Sequence, residues 1–160
     1  VKKVIIFISI LVVVFVALIF VVNYQNSKQL EGVENPYNKS NLNQATIDQL
    51  EDPLYQNQIL PEDLEERIEA GEDVTVYFYS PTCVHCQRVT PTVVPMTEDM
   101  GIDLVKLNLL EFNAAWDTFA IERTPTIVHY SNGEETARLV GEQPQTNFTD
   151  FFNQEVLGES

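Results

Sequence analysis

The longest apolar run, Val4 to Val22, reads VIIFISILVVVFVALIFVV and contains one polar side chain, Ser9. At about 1.5 Å per residue, a helix of that length matches the hydrocarbon thickness of a bilayer. A buried core helix rarely carries so long an unbroken run. A cleaved secretory signal has a shorter apolar region, followed by small residues at the cleavage site. The VVNYQNSKQ that follows here offers no such site, so residues 1–22 are expected to be an uncleaved, single-pass membrane anchor. Lys2 and Lys3 precede the run, and the positive-inside rule then leaves the N-terminus cytoplasmic and everything after the run outside.

Polar residues take over from Asn23 to about residue 51, with Pro36 in VENPYNKSN and little periodicity. Such a stretch predicts a flexible tether with a root-mean-square span of about 30 Å, interrupted at most by a short helix over 46–51. Residues 52–160 are patterned like a folded domain. A strand is expected near 54–60. LPEDLEERIEAG then places Pro61 at a first helical turn, acidic residues behind it, Leu64 and Ile68 four apart and Gly71 as a stop, which predicts a helix over 62–70. DVTVYFYS and IDLVKLNLL have the β-branched and aromatic enrichment of strands buried on both faces.

Strands alternating with helices predict parallel pairing, whereas RTPTIVHYSNGEETARLVG predicts an antiparallel hairpin at Asn132-Gly133. The last segment, TNFTDFFNQEVL, places Phe148, Phe151, Phe152 and Val156 along one helical face. The fold class is therefore α/β, a central mixed β-sheet flanked by helices and preceded by a transmembrane helix. Trp116 and Phe119, three apart, are assigned to the core.

Charge narrows the partners. Of nine basic side chains two are Lys2 and Lys3, so the rest of the chain carries seven against 24 acidic ones, a formal charge of −17. That balance repels nucleic acid and disfavours adhesion to anionic lipid. No eukaryotic processing feature is evident, and a bacterial protein is expected. The sequons at Asn38 and Asn147 are read as chance matches.

The only cysteines lie in SPTCVHCQRVTP. In the chain-entropy model a disulfide closing so short a loop contributes only about 2 kcal/mol, against nearly 5 for a hundred-residue loop, which argues against a structural staple. Zinc takes four ligands and few are at hand, so no metal is expected, although a copper or zinc module using Cys83, Cys86 and His85 is the alternative in the binding class. At a strand-to-helix junction the Cys83 sulfur meets unpaired N–H groups and the positive end of the helix dipole, both of which favour its thiolate. A protonated or hydrogen-bonding His85 adds to this. Stabilising the thiolate stabilises the reduced pair and makes the disulfide more oxidising. His129, inside a strand-like run, is read as hydrogen-bonded or edge-exposed rather than as a ligand.

An outward-facing βαβ unit with CVHC at the helix start, then TPT before a hairpin, resembles the thioredoxin superfamily over about residues 55–157. The resemblance implies a thioredoxin-like fold and a thiol–disulfide oxidoreductase. It makes Cys83 the attacking sulfur, Cys86 the resolving one and the Cys83–Cys86 disulfide the sole redox group, with no other cofactor. Pro91 is similar to the family's kink proline. Pro125 resembles its cis-proline facing the dithiol, and Thr124 before it would pair its backbone with substrate. The SNGEE turn and Gly141 also match.

Three positions depart from thioredoxin itself: Thr82 stands for a tryptophan, Tyr77 for a buried aspartate, and Val84-His85 for Gly-Pro. Lys106 matches the lysine beside that aspartate, but its carboxylate partner is absent. The Val-His dipeptide looks closer to disulfide-forming oxidases and isomerases. The expected partners are cysteine-containing secreted or envelope proteins and a membrane redox partner that regenerates the pair.

Overall fold

The computed structural model describes residues 2–30 and 32–159. Helix α1, Lys2–Gln29, is the one helix among them long and apolar enough to cross a membrane, and of its described side chains only Asn26 is buried. Short helix α2, Gln44–Ile47, and a 3₁₀ turn, Pro53–Tyr55, lead into α3, Pro61–Glu69. The domain then runs β1 (Val74–Tyr79), α4 (Val84–Asp99), β2 (Leu104–Asn108), α5 (Ala115–Thr118), β3 (Thr126–Ser131), β4 (Glu134–Val140) and α6 (Gln145–Phe151), with a π-turn at Phe152–Val156.

The sheet order is β2-β1-β3-β4. β1 pairs parallel with β2, ending Tyr79 opposite Asn108, and antiparallel with β3, where Phe78 faces Thr126. β3 pairs antiparallel with β4. Between them Asn132 and Gly133 both have positive φ, 52° and 85°, the conformation that a two-residue type I′ turn requires. The mixed sheet expected from the pattern is the one found.

β1 is buried along its whole length because the sheet has a core on each face. Val74, Val76 and Phe78 point to one, with Leu64, Leu107 and Phe119. Tyr77 and Tyr79 point to the other, with Cys86 and Val93 of α4 and Phe148 and Phe152. Trp116 packs against the first core, as its spacing suggested.

Two expectations fail. The strand near 54–60 reduces to a bridge between Gln58 and Lys106, because the 3₁₀ turn capped by Asp52 occupies its start and Pro61 opens α3 at its end. The tether over 23–51 is not free. α1 continues to Gln29, and Tyr37, Leu42 and Thr46 are buried at 4%, 3% and 1% exposure. Tyr37 and Thr46 have contacts in the domain that a polar, aperiodic sequence does not advertise.

Two outcomes are expected in denaturation experiments. Phe78→Ala removes a ring that packs tilted against Phe119, centroids 5.3 Å apart, and lowers stability by about 3–5 kcal/mol. His129 lies 3.0 Å from the Thr75 hydroxyl, and burial, which outweighs the attraction of Asp73 and Glu155, lowers its pKa. The unfolded imidazole binds its proton near pH 6.5 and the folded one only at lower pH, so stability falls as pH drops below about 6.5. His129→Gln flattens that part of the stability–pH curve.

Candidate active site

β1 delivers the chain to its C-terminal end at Tyr79, where a turn closed by Cys83 N–H to Ser80 O (3.1 Å) starts α4. Cys83 is the N-cap residue, with extended backbone (φ −81°, ψ 113°). Its sulfur accepts the Cys86 N–H at 3.3 Å, so a sulfur occupies the place of the usual capping oxygen. One turn on, Cys86 is fully buried against the Tyr77 face of the sheet, while Cys83 remains partly open to solvent. Both are free thiols.

Facing the pair from the other side, the Thr124-Pro125 peptide is cis, and the Cys83 thiol lies 3.5 Å from Thr124 O. Thr124 and Pro125 thus stand beside Cys83, 41 residues away in sequence. Pro91 lies two turns into α4, which continues unbroken through it and Pro95. The Thr90 hydroxyl donates to Cys86 O at 2.8 Å, a side-chain addition to a helix that lacks two backbone donors.

The two sulfurs differ electrostatically. Partial burial of Cys83 opposes ionisation, but hydrogen bonding from Cys86, the Thr124 side chain and the backbone N–H groups of Cys86 and His85 outweighs it, and the pKa is lowered. For Cys86, burial first and then its hydrogen bond to Cys83 push the thiol up to about 12. A partly exposed, more easily ionised sulfur thus sits next to a hidden one that holds its proton. This is the asymmetry that attack followed by resolution needs.

Tyr77 shares the buried core on the Cys86 face of the sheet. Its hydroxyl lies 3.1 Å from Thr90 Oγ1, and since Thr90 spends its only hydrogen on Cys86 O, Tyr77 is the donor. Burial raises the Tyr77 pKa far above the phenol range, so it carries no charge there. Lys106, opposite Tyr77 in the β1–β2 register, is 4% exposed and donates to Gln56 O at 2.8 Å. Burial lowers its pKa, and among the described residues no carboxylate lies within ion-pair distance of it.

His85 departs from the expected hydrogen bond to Cys83. Its exposed imidazole turns outward, with Nδ1 2.6 Å from Glu142 Oε2 and 2.8 Å from Arg88 Nη2. A ring protonated at Nδ1 donates to Glu142, whereas a neutral ring protonated at Nε2 accepts from Arg88. What His85 gives Cys83 directly is its backbone N–H. The carboxylate that draws the imidazole away is held down at about 2 by Arg88 and then by His85. Among the described residues, no group of three or more His, Cys, Asp and Glu side chains is gathered for a metal, and the set of two sulfurs and the His85 ring is not assembled.

Arg88, Glu142 and Thr90 escaped the sequence reading. His85 and Arg88 are three apart on one helical turn, a visible signal. Glu142 is 57 residues from His85, and only the fold brings them together. Gly141 makes this possible, since its φ of +81° and its N–H bond to Pro125 O (2.7 Å) turn the chain back toward α4.

The thioredoxin family model matches residues 56–154. A thioredoxin of Mycoplasma genitalium is 31% identical over 91 residues, covering 56% of this chain and 89% of its own length. Protein disulfide isomerase-like 1-1 of Arabidopsis thaliana is 28% identical over 98 residues, 58% of this chain and 20% of the longer protein. Among solved structures, thioredoxin f2 of Chlamydomonas reinhardtii superposes with a TM-score of 0.55 at 22% identity, over 62% of this chain and 94% of the other. Helix α1 lies outside the matched family region.

Arg88 is a cation close enough to Cys83 for the two to interact, and Glu142 neutralises it. Glu142→Gln is therefore expected to lower the Cys83 pKa and raise its alkylation rate at pH 6 at least about twofold, with Arg88→Ala acting in the opposite sense. Iodoacetamide rate–pH profiles check this. Cys86 stays unmodified in the native reduced protein throughout.

Proposed function

Because the chain belongs to the thioredoxin family, we propose that it is a membrane-anchored, extracytoplasmic thiol–disulfide oxidoreductase of a bacterial envelope, exchanging disulfides with secreted or envelope proteins. The observation that carries the redox reading is the contrast between the two sulfurs: Cys83 at the mouth with a lowered pKa, Cys86 buried and pushed up to about 12. α1 and the paired Lys2 and Lys3 support the anchor and its orientation.

In the oxidising direction a substrate thiolate attacks Cys83 of the disulfide, forming a mixed disulfide and releasing Cys86 as thiolate, which takes up a proton. A second substrate thiolate attacks the substrate sulfur of that bond, the substrate disulfide forms and Cys83 leaves. Two electrons pass from substrate to the pair. Low basicity suits Cys83 as this leaving group. The same stabilisation of its thiolate favours the reduced pair, so disulfide formation or isomerisation is the favoured direction. A membrane redox partner then takes the electrons back. Isomerase relatives occur among the matches, and thioredoxins match over more of their own length, which keeps reduction of envelope proteins as the second reading.

Equilibration with glutathione decides between them. A reduction potential well above the roughly −270 mV of thioredoxin is expected, and a value at or below it rules out the oxidising assignment. Cys86→Ser is expected to accumulate mixed disulfides through Cys83, visible as bands lost on reduction. Cys83→Ser forms none and abolishes insulin reduction by the wild-type assay. Trapping that persists in Cys83→Ser contradicts the roles assigned to the two sulfurs.

A further inference from the structure

The segment between α1 and the domain is a strap, and its attachment points all lie at one end of the sheet. Tyr37 Oη is 3.3 Å from the hydroxyl of Tyr79, the last residue of β1. Thr46 Oγ1 accepts from Asn108, the last residue of β2, at 3.2 Å and donates to Glu111 Oε1 at 2.7 Å. The same carboxylate oxygen accepts Asn43 N–H at 2.8 Å. Glu111 is itself 8% exposed, and its backbone oxygen accepts from Lys39. Ahead of these contacts Asn26 of α1 donates to Asn41 Oδ1 and Leu42 O, both at 2.6 Å.

Asn26 is four residues beyond Val22, the end of the apolar run, or about 6 Å along the helix. The docked strap thus begins at headgroup depth. Cys83 follows Tyr79 by four residues and lies at this same end, whereas the hairpin tip, Asn132 and Gly133, lies at the opposite end beside Val74. A free tether would let the domain roam over about 30 Å, and the strap removes that freedom. The formal charge of −17 on the chain beyond Lys3 opposes adhesion to anionic lipid, so bonded attachment, not surface attraction, sets the pose.

We infer that the strap holds the dithiol end of the domain toward the bilayer, and that the partner it serves is a membrane-embedded protein whose reacting cysteines lie at headgroup level. This rests on the reading of α1 as an anchor and of Cys83 and Cys86 as the redox pair. In the exchange the reduced pair gives two electrons to a partner disulfide. Cys83 thiolate forms the mixed disulfide and expels one partner thiolate. Cys86, losing its proton to water, then closes the Cys83–Cys86 bond and expels the other. The reverse exchange runs on a partner dithiol. Confinement raises the effective concentration of partner sulfurs at headgroup depth without any added contact.

The full chain in phosphatidylcholine vesicles tests this with two probes, a pyridyl disulfide on a lipid headgroup and a soluble pyridyl disulfide. A flexible Gly-Ser insertion of about twenty residues after Gly32, or Glu111→Ala, is expected to lower the rate with the headgroup probe about tenfold relative to the soluble one. Rates with the soluble probe stay unchanged. An unaltered ratio in the insertion variant overturns the inference. A measurement on the otherwise native chain guards against misfolded variants: a fluorophore placed at Thr82 is quenched more by headgroup-level nitroxide lipid than one at Asn132, and equal or reversed quenching overturns the inference. Failure to float with vesicles removes the anchor reading, and loss of reaction with the soluble probe removes the redox reading. Either removes the inference with it, and each differs from a failed orientation.

Discussion

The Cys83 sulfur caps α4, and the rest of the site depends on that bond. By accepting the Cys86 N–H at 3.3 Å, it takes the position that a serine or aspartate oxygen takes at other helix starts. The same contact that begins the helix stabilises the charge that makes the sulfur nucleophilic. It also sets Cys86 one turn in, where burial keeps a proton on it. The cap can form there because β1, packed on both faces, ends at Tyr79 and leaves only a tight turn before the helix.

Around that cap the surroundings are sorted by polarity. Below lies an uncharged ladder of Tyr77, Thr90 and the Cys86 carbonyl, with no carboxylate among the described residues bonded to it to take a proton from the resolving thiol. Above, Glu142 gathers Arg88 and His85 at the surface, where solvent screens each charge and the net field on Cys83 is a small difference between a cation and an anion. Outside the dithiol, Thr124 and the His85 backbone act on Cys83 alongside this exposed cluster. On the buried side, burial itself is the main influence on Cys86.

The strap brings the same logic to the scale of the molecule. One buried carboxylate, Glu111, collects a backbone N–H and a hydroxyl from a segment whose composition suggests only a spacer. A buried acidic group left without such donors would be costly, so the domain and the segment after α1 complete each other. Through the strap, the end of α1 is bonded to a segment that docks at the sheet end carrying the dithiol.

Patterns carried by neighbouring residues were legible without coordinates. The apolar run of α1, two-sided burial of β1 from VTVYFY, the Asn-Gly turn and the placement of CVHC at a helix start follow from local periodicity and turn chemistry, because helix, strand and hairpin are each set within a few residues. The short strand near 54–60 misled because apolar residues there fill a 3₁₀ turn and one bridge. What tertiary structure alone decided concerns pairs far apart in the chain. Examples are Glu142 drawing His85 away from the sulfur it was expected to serve, and Tyr37 and Thr46 turning a tether into a strap. Such contacts depend on how strands order in the sheet and where loops return, and a polar side chain carries no mark in its own sequence of the partner that will bury it.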